Sequence, residues 1–191
     1  MHSNPNKHSR RSIRLRNFDY AQTGFYFVTI CTEKRIFLFG EVTDGGMRLN
    51  DNGKIAEQCW LAIATHFPDV DLDTFVVMPN HVHGIITIRE PAVGAKHFSP
   101  LHNDDVAPKL RSPSKTVGSI VRGFKIGVTK WFRENGRTDK IWQRNYYEHI
   151  IGNQESLNRI RQYIQENPLH WQFDRENPVA TKPESQNAWL T

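Results

Sequence analysis

His81 and His83 stand one residue apart in the stretch FVVMPNHVHGIITI over 75–88. On a β-strand the side chains alternate between faces, so both imidazoles point one way and Val82 points the other. Neutral imidazole binds transition-metal dications readily, and binds Mg when the remaining ligands are oxygen. The strand around these rings is otherwise apolar, so two polar groups on one face need a shared reason. The competing reading is two strand histidines satisfied by ordinary hydrogen bonds. Two ligands also leave a metal site incomplete. Tyr163 and Asn167 are spaced i and i+4, which puts them one turn apart on one face of a helix. An asparagine carbonyl can ligate a hard cation. A phenolic oxygen beside it could attack a metal-bound phosphate. Tyr163 also suits the margin of an amphipathic helix, and Tyr146 and Tyr147 are rival phenols in an aromatic-rich segment.

The elements that must position these groups can be read from periodicity. Residues 24–32 (GFYFVTICT) are β-branched and aromatic, as a buried strand requires. The apolar run 36–39, the turn Asp44-Gly45-Gly46 and residues 47–49 suggest a hairpin. Asn50 or Asp51 can cap a helix running through Phe67, with His66 at its exposed end. Residues 72–78 and 81–88 form a strand pair about Pro79-Asn80. The stretch 89–113 is Pro-rich and reads as a long loop. Ser114 can cap a helix to about Glu134, ended by Gly136. Residues 141–151 (IWQRNYYEHII) are extended, and Asn153 caps a last helix to about Asn167 with Pro168 just beyond. Strands mixed with helices in this order predict an α+β fold with helices on an antiparallel sheet.

The chain has 191 residues and a formal net charge of +5. Its length suits one domain with a real core. No apolar run approaches the roughly 20 residues of a membrane-spanning helix, and the basic N-terminus lacks the apolar region of a secretory signal. A cytoplasmic protein with no membrane partner is therefore expected. Cys31 and Cys59 fit no metal or redox spacing and read as free thiols. The positive charge favours a polyanion such as nucleic acid. It concentrates in two places. Residues 1–17 carry Arg10, Arg11, Arg14 and Arg16, and the helix 114–134 carries Lys115, Arg122, Lys125 and Lys130. Both are candidate phosphate-binding surfaces. The domain reading is a basic arm over 1–17, one domain over 18–173 that includes the loop 89–113, and a polar tail over 174–191.

The ordered set PNHVHGI, WQRNYYEH and YIQENP resembles the REP-associated tyrosine transposases and their single-tyrosine insertion-sequence relatives, whose HUH motif is His, bulky hydrophobic, His. The resemblance covers roughly residues 12–173. It implies an RRM-like (ferredoxin-like) antiparallel sheet flanked by helices. It places the nucleophile on Tyr163 and a Mg or Mn ion on His81, His83 and Asn167. The implied reaction is cleavage and rejoining of single-stranded or hairpin DNA through a 5′-phosphotyrosine link, by a monomer or a homodimer. Gly84 would either let the DNA backbone approach the ion or serve packing. Other readings are a non-catalytic RRM-like nucleic-acid-binding module, a metal-dependent nuclease that uses water, and an HUH replication or relaxase-type nickase. All the catalytic readings carry one geometric demand: the last helix must turn Tyr163 and Asn167 toward His81 and His83.

Overall fold

Alternating β-branched and aromatic residues build a four-stranded antiparallel sheet in the order β4-β5-β1-β6. A computed structural model describes residues 22–90, 116–180 and 182. The sheet strands are β1 (Gly24–Cys31), β4 (Val70–Met78), β5 (His81–Ile88) and β6 (Tyr147–Ile151), and a small hairpin is made by β2 (Gly40–Thr43) and β3 (Gly46–Leu49). The helices are α1 (Asp51–Leu61), α2 (Ile63–His66), α3 (Val117–Glu134) and α4 (Gln154–Glu166). This is the expected α+β arrangement of an antiparallel sheet flanked by helices. No described helix is long and apolar enough to cross a membrane.

Strand alternation divides the interior in two. Tyr26, Val28 and Ile30 of β1 and Val82 and Ile86 of β5 pack with Trp60 of α1 and Phe124 of α3. The intervening residues Phe27 and Ile85 pack on the opposite face with Leu157, Ile160 and Ile164 of α4. Those three positions form the apolar stripe of α4. Asn153 caps this helix by accepting the Ser156 amide at 2.8 Å. Arg161 then fixes its rotation from outside. Its Nε and Nη2 donate to Asp73 on β4 at 2.9 and 2.6 Å. The β4–β5 register is irregular between Leu72 and Phe75, and such an irregularity re-aims side chains. The Arg161 hydrogen bonds hold the Asp73 carboxyl below its usual range.

Several local expectations need correction. The run 36–39 is a loop: the amides of Leu38 and Phe39 both donate to the Pro79 carbonyl, at 2.8 and 3.0 Å. Asp44 and Gly45 alone turn the hairpin, both at positive φ, and Gly46 already pairs with Thr43. A two-residue loop of this kind matches the strand twist. The helix expected through Phe67 breaks at Ala62, where the Thr65 amide bonds back only three residues to the Ala62 carbonyl. Asn50 caps α1 by accepting the Gly53 amide, and His66 is exposed. Thr116 caps α3 through the Ser119 amide; Ser114 lies outside the described residues.

Gly84 serves packing. It shares the face of Val82, where a Cβ built on it would lie 2.2 Å from Trp60 Cζ2. The Trp60 ring is fully buried among Phe75 and Phe124 and has little room to shift. Gly84→Ala is expected to destabilise the fold by about 1–3 kcal/mol through overpacking, measured as a lower urea midpoint with an unchanged slope.

Candidate metal centre

β5 begins at His81, so the strand delivers His81 and His83 to the α4 face at one end of the sheet. His81 pairs in register with Cys31 and Met78, and His83 with Thr29 and Val76. Both rings are buried, and their centroids lie 4.3 Å apart. His81 Nδ1 lies 2.8 Å from Asn80 Oδ1. The Asn80 amide nitrogen donates to the Arg35 and Glu176 carbonyls at 3.2 and 2.7 Å, which fixes its oxygen toward His81. An amide oxygen only accepts, so Nδ1 of His81 carries the proton and Nε2 presents a lone pair. His83 Nδ1 meets Thr29 Oγ1 at 2.9 Å, which likewise turns its Nε2 inward.

What faces those nitrogens is a carboxylate. Asp174 Oδ2 lies 3.8 Å from His81 Nε2 and 4.0 Å from His83 Nε2. Asn167 Nδ2 donates to the same oxygen at 2.7 Å. His81 Nε2 and Asn167 Oδ1 are buried without a hydrogen-bond partner. Burial pushes both imidazoles down to about 3, helped by the Arg35 charge for His81 and by His81 itself for His83. Neutral imidazoles make no ion pair with Asp174. The cluster therefore gathers lone pairs and one negative charge in a dry site, where each unsatisfied polar group costs about 1–3 kcal/mol. Two imidazole nitrogens and a carboxylate oxygen lie within 4.8 Å of one another, and the Asn167 carbonyl can join them. This donor set fits a divalent cation.

α4 also meets the geometric demand on the phenol. Tyr163 Oη lies 3.4 Å from His83 Nε2, a long contact, and its ring centroid is 5.3 Å from that of His83. Tyr147 packs edge-on to Phe27, and burial raises its phenol. Tyr146 points to the other face and donates to Glu148 Oε2 at 2.7 Å.

Asp174 is the residue that sequence reasoning missed. It falls in the stretch expected to be a polar tail, yet residues 171–180 fold back over the histidines. The Trp171 ring lies 6.1 Å from His81 and 5.7 Å from Phe37. Glu176 accepts from Arg35 Nε at 2.9 Å and from Cys31 Sγ at 3.2 Å. Asn177 is buried and donates to the Trp171 carbonyl. Two aromatics just before that tail, Trp171 and Phe173, were the available signal. Cys31 and Cys59 are free thiols as expected, and the Cys31 thiol is pushed up by burial and by Glu176.

The candidate cations among the described residues do not join this site. Arg10, Arg11, Arg14, Arg16 and Lys115 lie outside the described residues. Arg122 and Lys130 are exposed on α3, which packs on the sheet face away from the histidines. Lys125 donates to the Gln143 and Asn145 carbonyls at 2.9 and 3.0 Å, and Lys130 lies 3.8 Å from Glu134.

No family model matches the chain. It is 48% identical over 168 residues to an uncharacterized protein of Haemophilus influenzae, covering 88% of this chain and 93% of that one. The two belong to one family. The family's fold is that of a REP-associated tyrosine transposase solved with a REP hairpin bound, at a TM-score of 0.54 and 19% identity, over 83% of this chain and 74% of that one. At that identity the likeness is one of fold.

Two outcomes follow from the geometry. Unfolded histidines titrate near 6.5, whereas His81 and His83 stay neutral in the fold until about pH 3. Their folded values are depressed, so metal-free protein is expected to lose stability as pH falls below about 6.5, by up to about 1.4 kcal/mol per unit per histidine. Urea titrations across that range check this. Mn²⁺ at a hundred times its dissociation constant is expected to add about 2.7 kcal/mol to wild type. The same ion concentration should add much less to His81→Ala or Asp174→Asn, compared by thermal unfolding.

Proposed function

We propose that this chain cleaves and rejoins single-stranded or hairpin DNA through a phosphotyrosine on Tyr163, with Mg or Mn held by His81, His83 and Asn167, and by Asp174 as a further ligand. The observation that supports this reading is the convergence of α4 on β5. A phenol and an amide one helical turn apart meet two histidines whose outer nitrogens are already fixed by Asn80 and Thr29.

A bound cation would neutralise charge on the scissile phosphate and favour the phenolate, since free tyrosine ionises only near pH 10. The chain's own groups do the rest. Asn80 and Thr29 hold the imidazoles in their ligating orientation. Arg161 and Asp73, with the stripe Leu157, Ile160 and Ile164, hold Tyr163 over the site. The Tyr163 oxygen forms a bond to phosphorus, the bond from phosphorus to the 3′-oxygen breaks, and the 3′-oxygen takes up a proton. A second 3′-hydroxyl reverses the step, so no external energy source is consumed. Arg10, Arg11, Arg14, Arg16 and Lys115, with Arg122, Lys125 and Lys130 of α3, would hold flanking phosphates. Acting on DNA as a monomer or homodimer, the enzyme would work in the cytoplasm.

Incubation with labelled REP-type hairpin DNA and Mn²⁺ is expected to give a protein–DNA adduct that survives denaturation. Tyr163→Phe should abolish it, while Tyr147→Phe should retain it. Cleavage with no adduct would instead indicate a water-using nuclease.

A further inference from the structure

The sheet face opposite the histidines carries a groove of about 390 Å³ between α3 and the segment 140–146. Four cations line it, Arg122, Lys125, Lys140 and Arg144, with Ile126 and Tyr146 among its apolar walls and no carboxylate in the lining. A cavity of this size lies at the small end of ligand sites, about 300–1,000 Å³. It is large enough to admit a nucleotide.

The cations are not equivalent. Lys140 is paired with Glu33 at 2.7 Å, at the rim. Arg122 and Arg144 are exposed and have no ion-pair partner among the described residues. Lys125 is half-buried, spends two donors on the Gln143 and Asn145 carbonyls, and sits 5.8 Å from the Tyr146 ring centre. Burial and then the neighbouring Lys140 push its ammonium down to about 8, a position that an added anion would relieve. Ile126 is 60% exposed, a large apolar side chain set between cations on an otherwise polar helix face. Guanidinium forks beside an apolar wall match a phosphate next to an unstacked base.

The groove also sits at a telling place. Trp142 bridges to Thr32, and the Gln143 amide donates to the Cys31 carbonyl at 3.0 Å. Cys31 is the register partner of His81. The groove and the histidines therefore share one end of the sheet and face opposite ways. A strand leaving the metal centre would reach the groove by turning around that end, which a single strand can do and a stiff duplex does not.

We infer that this groove binds a single-stranded DNA segment flanking the scissile site, its phosphate on Arg122, Lys125 and Arg144 and its base against Ile126 and Tyr146. The inference rests on the DNA reading above and names a second contact for the same strand.

The test uses the full chain in EDTA and a fluorescent oligothymidylate of about 16 nucleotides, followed by anisotropy at several salt concentrations. The double variant Arg122→Ala/Arg144→Ala is expected to bind about tenfold more weakly, with the salt slope reduced by about 1.4. Ile126→Ser should weaken binding and leave that slope unchanged. The charge-matched control Arg48→Ala/Lys54→Ala removes two exposed cations elsewhere and should stay within about twofold of wild type. Parent-like binding by the groove variants, or an equal loss in the control, overturns the inference. The adduct assay is run beside it. An adduct in wild type with no effect of the groove variants leaves the catalytic reading standing and removes the groove. Groove-dependent binding without any adduct does the reverse.

Discussion

The constraint on which this structure depends is the burial of two imidazoles side by side on β5. Each ring must satisfy its outer nitrogen and leave the inner one facing a dry interior. Asn80 and Thr29 meet the first requirement, and much of the chain serves to hold them. The tight turn that carries Asn80 is gripped from the loop after β1, whose amides take the Pro79 carbonyl, while the Asn80 carbonyl accepts from Thr32. Asn80 itself is anchored by two segments far apart in sequence, through the Arg35 and Glu176 carbonyls. The inner nitrogens are then left with a carboxylate and an amide, a combination that can hold a divalent cation.

The sheet acts as a partition. On one side a large apolar core locks α1 and α3 against β1 and β5, tight enough that residue 84 has no space for a side chain. On the other side a smaller core seats α4 by three aliphatic residues and an Arg161–Asp73 fork. That fork is partly exposed and contributes modestly to stability. Its effect is on orientation, because a small rotation of α4 would swing the phenol and the amide off the histidines together. The candidate site and the larger core thus lie on different faces of the same strands.

Much of this was legible in local sequence where local physics decides. The β-branched runs of β1 and β5, the stripe of α4, and the caps Asn50 and Asn153 follow from spacing and hydrogen-bonding chemistry alone. Alternation placed His81 and His83 on one face, and helical periodicity placed Tyr163 with Asn167. That the two faces meet is a tertiary outcome, suggested by the family resemblance and not by either spacing. Residues 36–39 read as a strand-like run because the demand for their amides comes from Pro79, some forty residues away. The side of the sheet on which α3 lies was equally invisible, so its cations could not be separated from the site. Asp174 was least legible of all. A carboxylate among polar neighbours carries no period, and only the folding-back of Trp171 reveals it.

The folded-back strap bears on which ion the centre prefers. Two imidazoles and an amide are all neutral donors, a set inclined toward softer ions bound through nitrogen. The carboxylate of Asp174 would add negative charge and an oxygen ligand to such a set, a combination suited to harder ions. That charge lies outside the sheet and α4, on a segment whose buried residues are polar. A chain without that carboxylate would keep the fold and the phenol while its donor set became wholly neutral.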